Sequence, residues 1–217
     1  MQDRSALSSI GAATLVARIF GVLSGIGGLT HGIGEVLQGN RVPDGIIINS
    51  WAQGPIATNM GGEPGMTIVP NLLITGVLNI VVSVSLIVWS AAFVQRKRGG
   101  LIQLLLAIGT LLFGGGFGPP IIGTLASVAG MGIHAPYTWW RAHFPTGLRR
   151  FLAWLWPWIF GVTVINGVFL VIGSLILVYG FGLNNPDLFV GSFFFSVVSL
   201  LLTLFTGVAY DLERAGA

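Results

Sequence analysis

The sequence predicts an all-α fold, a polytopic transmembrane helical bundle with six membrane segments and both termini in the cytoplasm. Three observations support this prediction. Of the 217 residues, 53% are hydrophobic and only 8% are charged, whereas about 25% of an ordinary soluble domain is charged. The apolar residues stand in long blocks, and the basic residues are distributed unevenly between these blocks.

The apolar blocks are long enough to cross a bilayer. Residues 68–94 and 159–182 contain no ionisable side chain except that of Tyr179, and a helix of about 20 apolar residues spans the hydrocarbon layer. A backbone in lipid must satisfy its own hydrogen bonds, so it forms helices or a closed barrel. The blocks show no alternation of period two, which argues against a barrel. We therefore expect one membrane domain covering residues 1–217.

The six predicted segments are four long spans and a short helical pair broken by glycine and proline. The predicted segments are residues 19–38, 69–94, 101–116, 120–133, 152–182 and 187–210. The pair comes from one block, 101–133, which is too long for a single crossing. Its Gly-Gly-Gly-Phe-Gly-Pro-Pro sequence at 114–120 would break a helix. Two tilted crossings, a re-entrant hairpin and one kinked helix all remain open.

The basic residues favour an even number of segments. With five spans and a cytoplasmic amino terminus, five basic residues would lie on each side of the membrane. With six segments, nine lie inside and only Arg41 lies outside, as the positive-inside tendency requires. Arg outnumbers Lys nine to one, a codon bias typical of GC-rich prokaryotes. We therefore expect a multi-pass protein of a prokaryotic cytoplasmic membrane, the cell inner membrane.

Residues 39–68 form a predicted outer loop rich in Gly, Pro and Asn. Connections of this length are generally functional or disordered. The run Ile46–Ile48, together with Trp51 and Met66, argues for a loop that folds over the outer face of the bundle. This loop is either a structured cap or a lid over a substrate, and Glu63 is one of its two acids and a candidate ligand-binding residue.

The segment 136–158 combines tryptophan with basic residues. Its candidate lipid or interface residues are Trp139, Trp140, Arg141, Arg149 and Arg150. Indole rings and guanidinium groups both suit the headgroup zone of a membrane. The segment is therefore interpreted as an interfacial anchor, and a specific site for a lipid or quinone headgroup is the alternative.

The first span carries the ionisable residues with the best claim to a function. His31 and Glu35 are four residues apart, so they lie on one side of a helix. Ionisable groups within a membrane are costly to bury and are candidates for function. They could form a proton relay, part of a ligand site, or a polar pair with only a structural role.

Amides and hydroxyls on the second span could complete a polar pocket. Asn71, Thr75 and Asn79 recur at intervals of four, and an amide in hydrocarbon needs hydrogen-bond partners. Together with His31 and Glu35 they predict a small pocket near the outer face.

The sequence excludes several classes of function. It has no cysteine and no lysine within a span, which rules out thiol chemistry and a retinal Schiff base, and it contains no protease or nucleotide-binding motif. No cofactor can be named, no metal site is predicted, and nucleic acid is not an expected partner. The favoured hypothesis is a non-catalytic bundle that binds a lipid or other ligand, or a subunit of a membrane complex, with a role in transport as one option. Membrane lipids, a homo-oligomer or other membrane subunits are its expected partners. The alternative is a membrane-embedded enzyme acting on a lipid or quinone-like substrate, with His31 and Glu35 as an acid–base pair.

Overall fold

The structure is a computed structural model that describes residues 10–215, and it is mostly helical. In chain order its elements are α1 (Ala12–Gln38), β1 (Ile47–Asn49), α2 (Pro55–Asn59), β2 (Pro64–Met66), α3 (Leu72–Phe93), α4 (Gly99–Leu112), α5 (Gly118–Gly132), α6 (Thr138–His143), α7 (Thr146–Phe181) and α8 (Pro186–Ala215). Four of these helices, α1, α3, α7 and α8, are long and apolar enough to cross a membrane. The prediction of a helical membrane bundle is confirmed to this extent.

The surface of the bundle is apolar and its interior contains many small polar groups. Large hydrophobic side chains such as Ile165 (72% exposed) and Val81 (57%) face outward. Buried polar residues include Ser24, Thr75, Asn79, Ser83, Ser90, Gln103, Thr110, Ser127, Thr163 and Thr203. This distribution is the reverse of that in a water-soluble protein and is typical of helices that associate in lipid.

Helix α1 occupies the centre and packs against α3, α5, α7 and α8. Its glycines allow close approach: a Cβ atom at Gly32 would lie 3.0 Å from the carbonyl oxygen of Gly76 on α3. On its other side, Phe20 and Leu23 join a buried apolar cluster with Trp156 of α7. The most glycine-rich span is therefore the one surrounded by the others.

The two ends of the bundle differ. At one end, the carboxylate of Asp211 on α8 accepts hydrogen bonds from the backbone N–H groups of Ala12 (2.6 Å) and Ala13 (3.0 Å). We call this the terminal end. At the other end, residues 39–71 fold over the helices, and we call them the cap. The cap contains α2 and an antiparallel two-stranded sheet that pairs Ile48 with Gly65, so the fold is all-α apart from these two short strands.

Helices α4 and α5 form an antiparallel hairpin whose tip lies under the cap. Helix α4 ends at Leu112, before the predicted 116, because Gly114 and Gly116 adopt left-handed φ angles of +89° and +75°. Helix α5 begins at Gly118 because its prolines occupy the first turn, where no intrahelical N–H is needed. The backbone N–H of Gly114 binds the carbonyl of Met66 at 2.8 Å. Protein therefore covers the non-helical tip.

The other helix boundaries differ from the predicted spans mainly at the amino-terminal side. Helix α1 begins at Ala12 rather than 19, because Asp211 caps its first turn. Helix α7 begins at Thr146 rather than 152, so the predicted interfacial segment divides into α6 and the first turns of α7. Helices α3 and α7 each contain one π-helical turn, at Trp89–Phe93 and Phe169–Gly173. The number of crossings and the side on which the termini lie remain predictions.

Candidate functional site

A cavity of about 320 Å³ lies between α1, α5, α7 and α8. Its walls are mainly apolar and include Leu23, Ile122, Leu170, Phe189 and Phe193. Val190 also lines the cavity and is 54% exposed, so the cavity reaches the outer surface of the bundle. Ligand sites are typically concave and mostly apolar, with a few polar groups. This cavity shares these features.

The polar end of the cavity is formed by His31 of α1 and Glu63 of the cap. The His31 Nε2 atom lies 3.6 Å from the Glu63 Oε2 atom. This separation is too long for a direct hydrogen bond. Among the described residues, Glu63 Oε2 has no hydrogen-bond partner although the atom is buried.

The backbone around Glu63 directs its carboxylate inward. Gly61 and Gly62 have φ angles of +68° and +76°, and Glu63 itself has a φ of +50°. Glycine adopts this region freely, but a residue with a Cβ atom is strained there by about 1–2 kcal/mol. Such strained residues cluster at functional sites. The cap thus holds Glu63 against His31 in an unfavourable local conformation.

Behind His31, a hydrogen-bonded chain leads away from the cavity. His31 Nδ1 lies 2.9 Å from the Ser50 hydroxyl oxygen, and that hydroxyl donates to Glu35 Oε1 at 3.1 Å. The side chains of Glu35 and Ser50 are fully buried, and His31 is 6% exposed. Ser50 has a single proton, so when it donates to Glu35 it accepts from Nδ1–H. Nε2 then carries a lone pair that faces Glu63.

The glycine-rich tip of the α4–α5 hairpin packs against the hydrogen-bonded series of His31, Ser50 and Glu35. A Cβ atom at Gly114 would lie 2.2 Å from Glu35 Oε1, and one at Gly116 would lie 2.3 Å from His31 Cε1. Only glycine allows the tip to lie this close to both side chains. The α4–α5 hairpin therefore positions His31 and Glu35 of α1.

The remaining predicted pocket residues lie within α3 or just before it and do not line the cavity. Thr75 bonds to Thr67 of the cap at 2.8 Å. Asn79 donates to the Gly28 carbonyl at 3.0 Å, which ties α3 to α1. Asn71 caps the amino terminus of α3, where its side chain accepts from the Ile74 N–H. The structure brings Glu63 to His31 but gives these three residues packing contacts.

The predicted interface residues lie at the terminal end, away from the cavity. Trp139 is 59% exposed and stacks on His143, and Trp140 contacts Phe205 edge-on. Arg149 and Arg150 both pair with Glu213, and Arg141 is exposed. Exposed aromatic rings beside guanidinium groups suit a headgroup zone, and whether a specific lipid binds there stays open.

The arrangement offers proton transfer and hydrogen bonding to a ligand. A hydroxyl between an imidazole and a carboxyl can relay a proton between them. Within residues 10–215, no group of three or more potential ligands could hold a metal ion. Sequence reasoning missed Ser50, which lies between His31 and Glu35, and the cavity walls on α5, α7 and α8. A single serine in a loop shows no periodicity that would have singled it out.

No protein-family model, no curated protein and no solved structure matches the chain. Its function is therefore inferred from the geometry of the cavity.

Proposed function

We propose that this protein binds an amphiphilic, lipid-like molecule in the cavity between α1, α5, α7 and α8. The apolar part of the ligand lies along the walls, and its polar head lies at His31 and Glu63. One observation carries the proposal: an otherwise apolar cavity ends at a buried carboxylate oxygen that has no hydrogen-bond partner among the described residues. A buried polar atom of this kind is costly unless a partner is supplied.

The walls suit a hydrocarbon chain. The cavity volume of about 320 Å³ lies at the lower end of the range for small-molecule sites. Phe189, Phe193 and Leu170 provide apolar surface, and the exposure of Val190 gives a lipid in the bilayer a route of entry from the side. A water-soluble ligand would have to enter past the cap instead.

Filling the cavity is expected to abolish binding. Leu170→Trp adds an indole to the wall, and we expect the purified variant to carry less than about one tenth of the wild-type amount of co-purified amphiphile, because the added ring occupies the space of the chain. The measurement is quantitative mass spectrometry of lipid extracts after purification in a mild detergent.

Ile165→Trp is the matched control for this substitution. Ile165 lies on the same helix, is 72% exposed and does not line the cavity, so the control should retain the bound amphiphile. Equal loss in both variants, or no bound amphiphile in the wild type, would contradict the proposal. Conversion of the amphiphile to a product, lost in His31→Gln, would instead indicate the membrane-embedded enzyme.

We also infer that the terminal end faces the cytoplasm of a prokaryotic cell. Arg18 lies beside Gln95, and Arg149 and Arg150 pair with Glu213 at that end, whereas Arg41 belongs to the cap. This grouping supports six segments and a cytoplasmic location for both termini. Membrane lipids are the proposed partners, and a homo-oligomer or association with other membrane subunits is an additional possibility for assembly.

Cysteine labelling tests this orientation, since the chain has no cysteine of its own. A membrane-impermeant maleimide added to intact cells should modify Asn59→Cys in the cap and should not modify His143→Cys in α6. Lysed cells should show both residues labelled, which controls for reactivity. Labelling of His143→Cys in intact cells would reverse the orientation.

A further inference from the structure

We infer that the head of the bound amphiphile donates hydrogen bonds and carries no negative charge, so that hydroxyl and amine heads bind and phosphate heads are excluded. This inference rests on the proposed binding function and specifies its ligand class. It follows from the hydrogen-bonding groups that the cavity offers and from those that it lacks.

The cavity lining is poor in donors because three of its four hydroxyl groups already donate to backbone carbonyls. The fourth, that of Ser196, accepts from the Asn166 amide at 2.6 Å and keeps its proton. Ser24 donates to the Pro119 carbonyl at 2.6 Å, Thr30 to the Gly27 carbonyl at 2.7 Å, and Ser174 to the Leu170 carbonyl at 2.5 Å. A hydroxyl has only one proton to give, so Ser24, Thr30 and Ser174 can offer a ligand only lone pairs. Within the described part of the chain, no lysine or arginine lines the cavity.

The helix termini beside the cavity do not supply the missing donors. Anions often bind at a helix amino terminus, where backbone N–H groups are free. Helix α5 begins with Pro119 and Pro120, which have no N–H. At the start of α8, Pro186 again lacks an N–H, and the N–H of Leu188 is bound to the Asn185 side chain at 3.1 Å. A phosphate head would therefore find few partners.

The polar end itself presents acceptors. Glu63 Oε2 is unpartnered, and Nε2 of His31 carries a lone pair when Ser50 donates to Glu35. Two acceptors 3.6 Å apart leave room for a donor that contacts both. An ammonium group can donate to both atoms at once. A hydroxyl donates its single proton to Glu63 or to Nε2. A phosphate would instead meet a carboxylate of like charge.

A chain-matched series of amphiphiles tests the inference. Oleyl alcohol, oleylamine and oleyl phosphate share one hydrocarbon chain, and native mass spectrometry of the full-length protein in dodecyl maltoside gives their apparent affinities. Thermal unfolding in the presence of each amphiphile provides a second measurement. We expect the alcohol and the amine to bind at least about tenfold more tightly than the phosphate. Comparison of the alcohol with the amine also shows whether the site prefers an uncharged donor or a cationic one.

Glu63→Gln assigns the selectivity to one residue. Removing this carboxylate charge should bring the phosphate within about threefold of the alcohol. Asp44→Asn is the matched control, since it removes the other acid of the cap at an exposed position away from the cavity, and it should leave the ranking unchanged. Should Glu63→Gln fail to fold, the wild-type ranking still decides the inference.

Three results would overturn this inference. These are a phosphate that binds as tightly as the alcohol, a preference that persists in Glu63→Gln, and a stoichiometric metal ion in the purified protein, since a cation would satisfy both acceptors. Failure of all three amphiphiles to bind would instead refute the binding function. The two failures are therefore distinguishable.

Discussion

Gly116→Ala is expected to destabilise the protein by about 2–5 kcal/mol. An added Cβ atom would lie 2.3 Å from His31 Cε1 and 2.4 Å from Nε2. The ring cannot easily move aside because Ser50 holds its Nδ1 atom and the cap covers it. Overpacking of a buried site costs about 1–3 kcal/mol, and the φ angle of +75° adds about 1–2 kcal/mol of backbone strain. Unfolding by SDS in mixed micelles measures the change.

Substitutions at two other glycines separate the cost of the steric clash from the cost of the backbone strain. Gly182 has a φ angle of +62° and nothing within 4 Å of an added Cβ atom, so Gly182→Ala should cost about 1–2 kcal/mol. Gly161 lies in α7 with equally open space and a helical backbone, and Gly161→Ala should be neutral or slightly stabilising. Equal costs at positions 116 and 182 would show that the hairpin tip does not press on His31.

Ser50→Ala is expected to cost about 2–4 kcal/mol and to weaken binding of the amphiphile. The Ser50 side chain is fully buried between His31 Nδ1 and Glu35 Oε1. Its removal leaves both atoms without this partner, and each buried group left unsatisfied costs about 1–3 kcal/mol. Because His31 loses the contact that orients its ring, the polar end of the cavity should also lose its geometry. The same SDS titration and the mass-spectrometric binding assay report the two effects.

Ser85→Ala provides the control for this substitution. Ser85 is exposed on α3 and donates only to the Val81 carbonyl of its own helix, so its loss should cost little. A double-mutant cycle measures the coupling energy between Ser50 and Glu35. The change in the free energy of unfolding caused by Glu35→Gln should differ between the Ser50→Ala background and the wild type by more than about 0.5 kcal/mol. Strict additivity would mean that the three residues do not act as one hydrogen-bonded unit.

The long helices could be predicted because lipid imposes a strong constraint on the sequence. Each spanning segment needs about 20 apolar residues, and α3 and α7 contain such runs. The break at residues 113–117 was also visible, since glycine followed by two prolines cannot continue a helix. The exact ends were less predictable. The start of α1 depends on Asp211, which is far away in the sequence, and no local pattern contains that information.

Only the ionisable residues of the site could be predicted from the sequence. His31 and Glu35 were apparent because ionisable residues are rare in a span, and Glu63 was one of only two acids in the cap. Their arrangement depends on a loop serine and on a hairpin tip, which meet α1 through contacts distant along the chain. In the structure, the hydrogen-bonded link between His31 and Glu35 runs through Ser50. Asn71 was predicted to line the pocket, but its side chain accepts a hydrogen bond at the amino terminus of α3. An asparagine just before an apolar helix suits this role as well as it suits a ligand site.

The contact between Asp211 and the start of α1 has a consequence for the order of synthesis. Helix α1 leaves the ribosome before the other three long helices, although it is the most buried and the least apolar of the four. The carboxylate that caps it lies 199 residues further along the chain, and its neighbours α7 and α8 are also translated long after it. During most of translation, the side of α1 that carries Phe20 and Leu23 therefore lacks its final partners. The insertion machinery must shelter this helix until α8 arrives, so chains that stop before residue 186 should be short-lived in the cell.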